Sequence, residues 1–397
     1  MTDPLPRPVP RWLHVWAVGT ALLTLVLLAI GQLVTSFGAG MADRVWPTEP
    51  WYVFQTATDT EKARFRNEFA FFIEHSHRIA GWTLGGLVIV LAAGIWWTEP
   101  RKAARGVALA GLGVMVAGYG DFHRGLMAQH DTPAAEVRLP LSSVGTTLAG
   151  LGLVLAVAAT GFAAHQRGTG VRLLALLALV GVMIQGLLGG FRVKLNELVG
   201  ADLAAFHGVF AQVVFGLLVT LAVVTARPVL QLGAGSGARR LQRWALVLAG
   251  LVFLQVVFGA LVRHYPLPLN QRLHFLTAFL ATGLAVLVIR GVLTDPVARV
   301  RAGAVAGLFA ALLVVQLYLG VEAWMARFGQ YTLPELVKVT PQSGAVRSLH
   351  ALVGSGVWGA ALALSIRLRP VRTAAHTLEP AEPVRSREFP QMAASVV

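Results

Sequence analysis

The chain has 397 residues, of which 56% are hydrophobic and only 13% charged, with a mean hydropathy of +0.66. A soluble domain carries nearly twice that share of charge, so lipid is the expected main solvent. The absence of cysteine excludes disulfides, thiolate metal sites and thiol chemistry.

Long, nearly uncharged stretches recur along the whole chain, each able to cross a bilayer as a helix. They predict spans near 14–37, 69–97, 104–120, 140–163, 171–191, 204–226, 241–262, 271–293, 302–326 and 346–368. The first follows Arg7 and Arg11 and precedes Gly38, Ala39 and Gly40, a pattern that a cleaved signal peptide shares. Its apolar run is too long for a signal h-region, so a retained span is expected after a cytoplasmic segment 1–13. The Pro-, Arg- and Glu-rich segment 369–397 reads as a disordered tail.

The net charge of +14 and pI near 11.3 are unevenly distributed. With the N-terminus inside, the inner segments and span ends hold 19 of the 33 Lys/Arg and 6 of the 19 Asp/Glu. The outer side is close to neutral. This is the positive-inside bias, so the basic balance reports topology, with both termini cytoplasmic, and implies no nucleic-acid partner. The fold class expected is an all-α polytopic membrane protein of about ten helices, multi-pass in the cell inner (plasma) membrane.

The spans pair into hairpins, four of which share a polar pattern. The outgoing helix carries Gln32, Gln185, Gln255 or Gln316, and the returning helix carries His77, His207, His274 or His350. The separations are 45, 22, 19 and 34 residues, so the loops vary while the polar positions persist. Such repeats are a common plan for membrane bundles. The hairpin 98–170 lacks the pattern and reads as an insertion. Asp121, His123 and His130, placed in its outer loop, read first as solvated loop residues.

Ionisable groups inside a span usually face a cavity, a partner or a cofactor. Four histidines at one depth, on helices running in one direction, can present two imidazole pairs. An imidazole ligates iron through one nitrogen while a neighbour holds the other. Four residues after each histidine stands Gly81, Ala211, Ala278 or Gly354, on the same helix face. Small residues there leave room for a flat macrocycle, or serve helix packing. Zinc and copper fit less well without cysteine or an H-x-x-x-H pair.

The two halves are unequal. Glu74 lies one turn before His77, and neither His274 nor His350 has an acid there; His207 has only Asp202 upstream. Glu74 can relay protons or stabilise a cation at a heme edge, or it can pair with Arg78, and the two roles are compatible. Arg192 and Arg263, placed just past their helix ends, either pair with heme propionates or snorkel at the interface.

Several stretches resemble the heme A synthase family. They are Gly31-Gln32-Leu33-Val34-Thr35 with Trp46-Pro47, Glu74-x-x-His77-Arg78, Gln185-Gly186-x-x-Gly189-Gly190-x-Arg192-Val193, and His207-Gly208-x-x-Ala211-Gln212. The resemblance covers roughly 14–97 and 171–368. It implies two pseudo-symmetric four-helix bundles, formed here by 14–97 with 171–226 and by 227–368. It further implies a heme b held by His274 and His350, and a site at His77 and His207 where heme o is the substrate and heme a the product. There the C8 methyl becomes a formyl group for cytochrome oxidase assembly, and Glu74 matches the catalytic glutamate. Heme O synthase, an electron acceptor that the sequence does not identify and a second copy of the chain are the candidate partners. Three features depart from the family pattern: the inserted hairpin, the missing outer-loop cysteine pair, and Phe275 and Ala351 in place of Arg after the histidine. A diheme cytochrome carrying electrons from quinol is the alternative, and a heme-handling transporter or chaperone a third.

Overall fold

The computed structural model describes residues 9–42, 59–129, 132, 136–141, 143–163, 169–226, 236–329 and 337–369. Among them are eleven helices and no strand. They are α1 (Arg11–Ser36), α2 (Asp59–Asn67), α3 (Phe69–Trp97), α4 (Lys102–Met127), α5 (Val144–Phe162), α6 (Thr169–Lys194), α7 (Asn196–Val224), α8 (Ser236–His264), α9 (Pro268–Thr294), α10 (Pro296–Phe328) and α11 (Pro341–Arg367). All but the short, polar α2 are long and apolar enough to cross a membrane. The chain is an all-α polytopic membrane protein. Trp46-Pro47, His130 and the tail from 370 onward lie outside the described residues.

Local sequence sets where several helices begin. Pro268, Pro296 and Pro341 occupy first-turn positions, where a missing N–H costs nothing. The Asp295 carboxylate accepts from the Val297 and Ala298 amides at 2.9 Å, and Thr340 and Ser343 cap each other's amides at 3.1 and 3.0 Å. Most helices run a turn or more past their apolar segments. The ladder of backbone hydrogen bonds continues into the interface once the first turns are fixed.

Helix α4 departs from its predicted span in a way that bears on the site. It extends to Met127, so Asp121 and His123 are helical and not in a loop. Asp121 remains near the surface, 3.4 Å from Arg124. His123 is buried, against the rings of Tyr119 and Trp82.

Helix α1 packs on α3 and α7, and α6 on both α3 and α7, which closes one four-helix unit; α8, α9, α10 and α11 close a second. Contacts of α11 with α1 and α7, and of α7 with α8, join them. Each unit has its own apolar core. One centres on Leu13, Leu91, Ile95, Trp96, Leu176 and Leu218, the other on Leu248, Val288, Ala306, Phe309 and Leu364. Both cores occupy the depth away from the histidines, so the bundle is solid at one end and hollow at the other.

The inserted α4–α5 hairpin is a tight pair. A Cβ on Gly111 would lie 2.8 Å from the Gly152 carbonyl oxygen, and one on Gly145 2.8 Å from that of Gly118. Only glycine permits this approach. At its base, the buried Arg172–Glu99 pair (2.9 Å) and the Arg101–Phe162 carbonyl bond (2.5 Å) tie α3, α5 and α6 together.

Candidate functional site

The hollow end is a cavity of about 1500 Å³ shared by both units. That exceeds the roughly 300–1,000 Å³ of a site for one drug-sized ligand. All four span histidines line it, as do Gly81, Ala211, Ala278 and Gly354 four residues later.

In the C-terminal unit His274 and His350 face each other, with ring centroids 6.4 Å apart and ring planes at 80°. Two imidazoles ligating one metal from opposite sides, with nitrogens about 2.0 Å from it, have ring centres about 6 Å apart. The pair therefore fits a bis-imidazole site. Nδ1 of each ring is buried without a hydrogen-bond partner among the described residues. The backbone carbonyls of Gln255 and Gln316 act on these rings. The Gln255 and Gln316 amide nitrogens lie 3.3 and 3.5 Å from Nε2 of His274 and His350, and Thr277 donates to the Gln255 side-chain oxygen.

In the N-terminal unit His77 and His207 are close enough to interact electrostatically. Gln185 Nε2 is 3.2 Å from both nitrogens of His207 and 3.1 Å from its carbonyl oxygen. The first hairpin breaks the expected repeat. Gln32 does not meet His77; its side chain and carbonyl accept from Arg263. The backbone carbonyl of Leu27 takes the place that those of Gln255 and Gln316 take in the other unit.

The feature common to all four hairpins is a glycine beneath the imidazole. A Cβ on Gly31, Gly189, Gly259 or Gly320 would lie 2.9, 3.4, 3.3 or 3.1 Å from Cε1 of His77, His207, His274 or His350. In three hairpins this glycine follows the glutamine by four residues; in the first the matching position is Leu27. The register of the repeat is thus set by the glycine, and Gln32 lies outside it.

Of the small residues after each histidine, Gly81 opens on free space. Gly354 instead makes room for a neighbour, because a Cβ there would lie 3.0 Å from the Gln316 amide nitrogen.

Glu74 is buried and pairs with Arg78 at 2.7 Å. It is the only carboxylate among the described cavity-lining residues, against Arg78, Arg192, Arg263, Arg327 and Arg347. Arg192 feels the charges of Glu74 and Arg78. It lies in the last turn of α6, and Arg263 in that of α8, so neither is past its helix end. Arg263 reaches across to α1, with Nη2 2.5 Å from the Ser36 hydroxyl; Arg327 Nη1 donates to its carbonyl at 3.0 Å. Arg347 has buried Nε and Nη2 without partners among the described residues. Sequence reasoning missed Arg327 and Arg347, which stand apart in sequence and meet Arg263 only in the fold.

A mouth with this excess of guanidinium suits a ligand bearing carboxylates. Among the described residues no three of His, Asp and Glu converge to hold a bare ion. Paired imidazoles suit a metal that brings its own equatorial ligands, and a porphyrin meets both demands. Searches of protein-family models, curated proteins and solved structures each return no match to the chain.

Proposed function

We propose that the chain is a heme A synthase-like oxidoreductase, converting the C8 methyl of heme o to the formyl group of heme a. The observation that carries this reading is Glu74: one carboxylate in a cavity of four imidazoles, placed beside only one pair. The resemblance of the E-x-x-H-R and Q-G-x-x-G-G stretches points the same way.

His77 and His207 hold and orient the substrate heme; His274 and His350 hold heme b. Bound there, heme b supplies a redox centre that takes electrons from the reaction. Arg192 and Arg263, with Arg327 and Arg347, bind the propionates. Turning a methyl into a formyl group with oxygen taken from water releases protons and electrons, and the Glu74 carboxylate accepts the protons in turn. The ion pair with Arg78 fixes that carboxylate in place. As the reacting carbon loses electron density, the same negative charge stabilises it. The charge bias supports a cavity mouth on the outer side of the plasma membrane and cytoplasmic termini. Heme O synthase is the partner that would supply substrate, and a further acceptor removes the electrons.

A diheme cytochrome would use the same four imidazoles and leave Glu74 idle. The test is to express Glu74→Ala with a heme o source and extract the bound hemes. Heme b should remain and heme a should be lost. Undiminished heme a in this variant would refute the catalytic role, and the absence of heme a from the wild type would favour the cytochrome.

A further inference from the structure

The inserted hairpin does more than flank the bundle. One stripe of α4 (Val116, Tyr119, Gly120 and His123) lines the cavity. The spacing is that of a single helix face. The Tyr119 hydroxyl donates to the Met183 carbonyl at 2.8 Å, and a Cβ on Gly186 would lie 2.6 Å from it. Helix α4 therefore meets α6 at the level of Gln185, the residue bonded to His207. His123 lies one turn nearer the cavity mouth, its ring 4.4 Å from Tyr119 and 5.9 Å from Trp82 of α3. Phe122 and Leu126 hold this part of α4 against Leu187, Phe191 and Val193. The α4–α5 hairpin packs on α3 and α6, both helices of the N-terminal unit.

We propose that this stripe is the fifth wall of the N-terminal ligand site, lying against the edge of the macrocycle held between His77 and His207. Its occupant is a metalloporphyrin with a polar substituent on that edge, which the His123 imidazole hydrogen-bonds. The wall thereby fixes how the ring is rotated in its plane, and so which methyl group faces Glu74. The inference rests on the proposal that the His77/His207 pair binds heme.

Gly120 provides the probe, because a Cβ there meets nothing within 4 Å, so a larger side chain projects into ligand space without disturbing helix packing. Ala117, exposed on the neighbouring face of α4, is the control for tolerance of a leucine. Heme per polypeptide is measured on the full chain purified from membranes, for the wild type and for Gly120→Leu, His123→Phe, Ala117→Leu and His77→Ala. Gly120→Leu should fall to the level of His77→Ala, one heme lost and one kept. His123→Phe, preserving bulk and removing the hydrogen bond, should retain that heme about tenfold more weakly. Ala117→Leu should match the wild type. A full heme complement in both Gly120→Leu and His123→Phe would overturn the inference, as would equal loss in Ala117→Leu. A wild type without heme would instead overturn the reading beneath it.

Discussion

The N-terminal and C-terminal units hold their histidines by the same device and surround them differently. In both, a glycine on the outgoing helix lets the imidazole of the returning helix lie close, and a backbone carbonyl one turn earlier faces the ring in three of the four cases. The C-terminal unit adds glutamine amides beside both histidines and no acid. The N-terminal unit replaces one of those glutamines with Leu27 and adds Glu74, Arg78 and the α4 stripe. A site built to hold a group permanently gains from symmetric, fixed partners. A site where a molecule must react gains from a group that can take a proton and from a wall that orients it. The contrast teaches that the halves differ in what lines the cavity, while the glycine beneath each imidazole is common to both.

The largest test of this contrast concerns Glu74. Glu74→Gln keeps size and hydrogen bonding but removes the charge and the proton acceptor. Turnover of heme o should fall by about 10²–10⁴-fold, with the heme at His274/His350 spectroscopically unchanged. A fall of less than about tenfold, or a matching change at the other pair, would erase the proposed distinction between the units.

A graded effect should come from the glycines beneath the imidazoles. Adding a methyl group demands movement of the ring, and overpacking costs about 1–3 kcal/mol. The spacings of 2.9, 3.1, 3.3 and 3.4 Å order the series Gly31→Ala, Gly320→Ala, Gly259→Ala and Gly189→Ala from most to least disruptive. The readout is heme retention at the affected pair. An equal loss across the series would mean that the close approach does not position the ligands.

Much of this was legible in the sequence, for identifiable reasons. His77, His207, His274, His350 and Glu74 stand out because polar residues in apolar spans are rare and costly. The membrane helices are marked by long hydropathy runs, and α3 is placed at the predicted residues. Asp121 and Arg124 end the apolar run of α4 before the helix itself ends, because charges near the surface do not end a helix. Gln32 was grouped with the other glutamines by identity. Its true register depends on Gly31, and a glycine in a membrane helix gives no sign of what it faces. Arg327 and Arg347 become neighbours of Arg263 only through helix packing, which no periodicity encodes.

Smaller effects should appear at the seam between the units. Arg263 donates from α8 to Gln32 and Ser36 of α1, and Ser348 of α11 donates to the same Ser36 hydroxyl at 2.9 Å. Arg263→Met retains the aliphatic packing and removes the charged hydrogen bonds. The expected loss is about 2 kcal/mol, measured by thermal unfolding in detergent with a chromophore in each unit. If the bonds couple the two units, their transitions should separate; a single unchanged transition would show that apolar contacts alone join them.

The smallest effect is expected where the units touch in water. Tyr265, between α8 and α9, donates its hydroxyl to Asp202 of α7. That bond raises the phenol pKa above its usual value of 10.0, with the side-chain hydrogen bond as the largest cause. The neutral phenol is the bonded form, so the folded state binds this proton more tightly than the unfolded state does. Its contribution to stability is fully present below the unfolded pKa and disappears as pH rises through the folded one. The bond lies at the surface, so solvent screens it and the effect on unfolding should be slight. Tyr265→Phe should therefore match the wild type in turnover and heme content, be slightly less stable at neutral pH, and lose less stability on the alkaline side. A difference between the two proteins at neutral pH that vanishes in alkali would fit this bond; the same difference persisting at all pH values would assign it to packing of the ring.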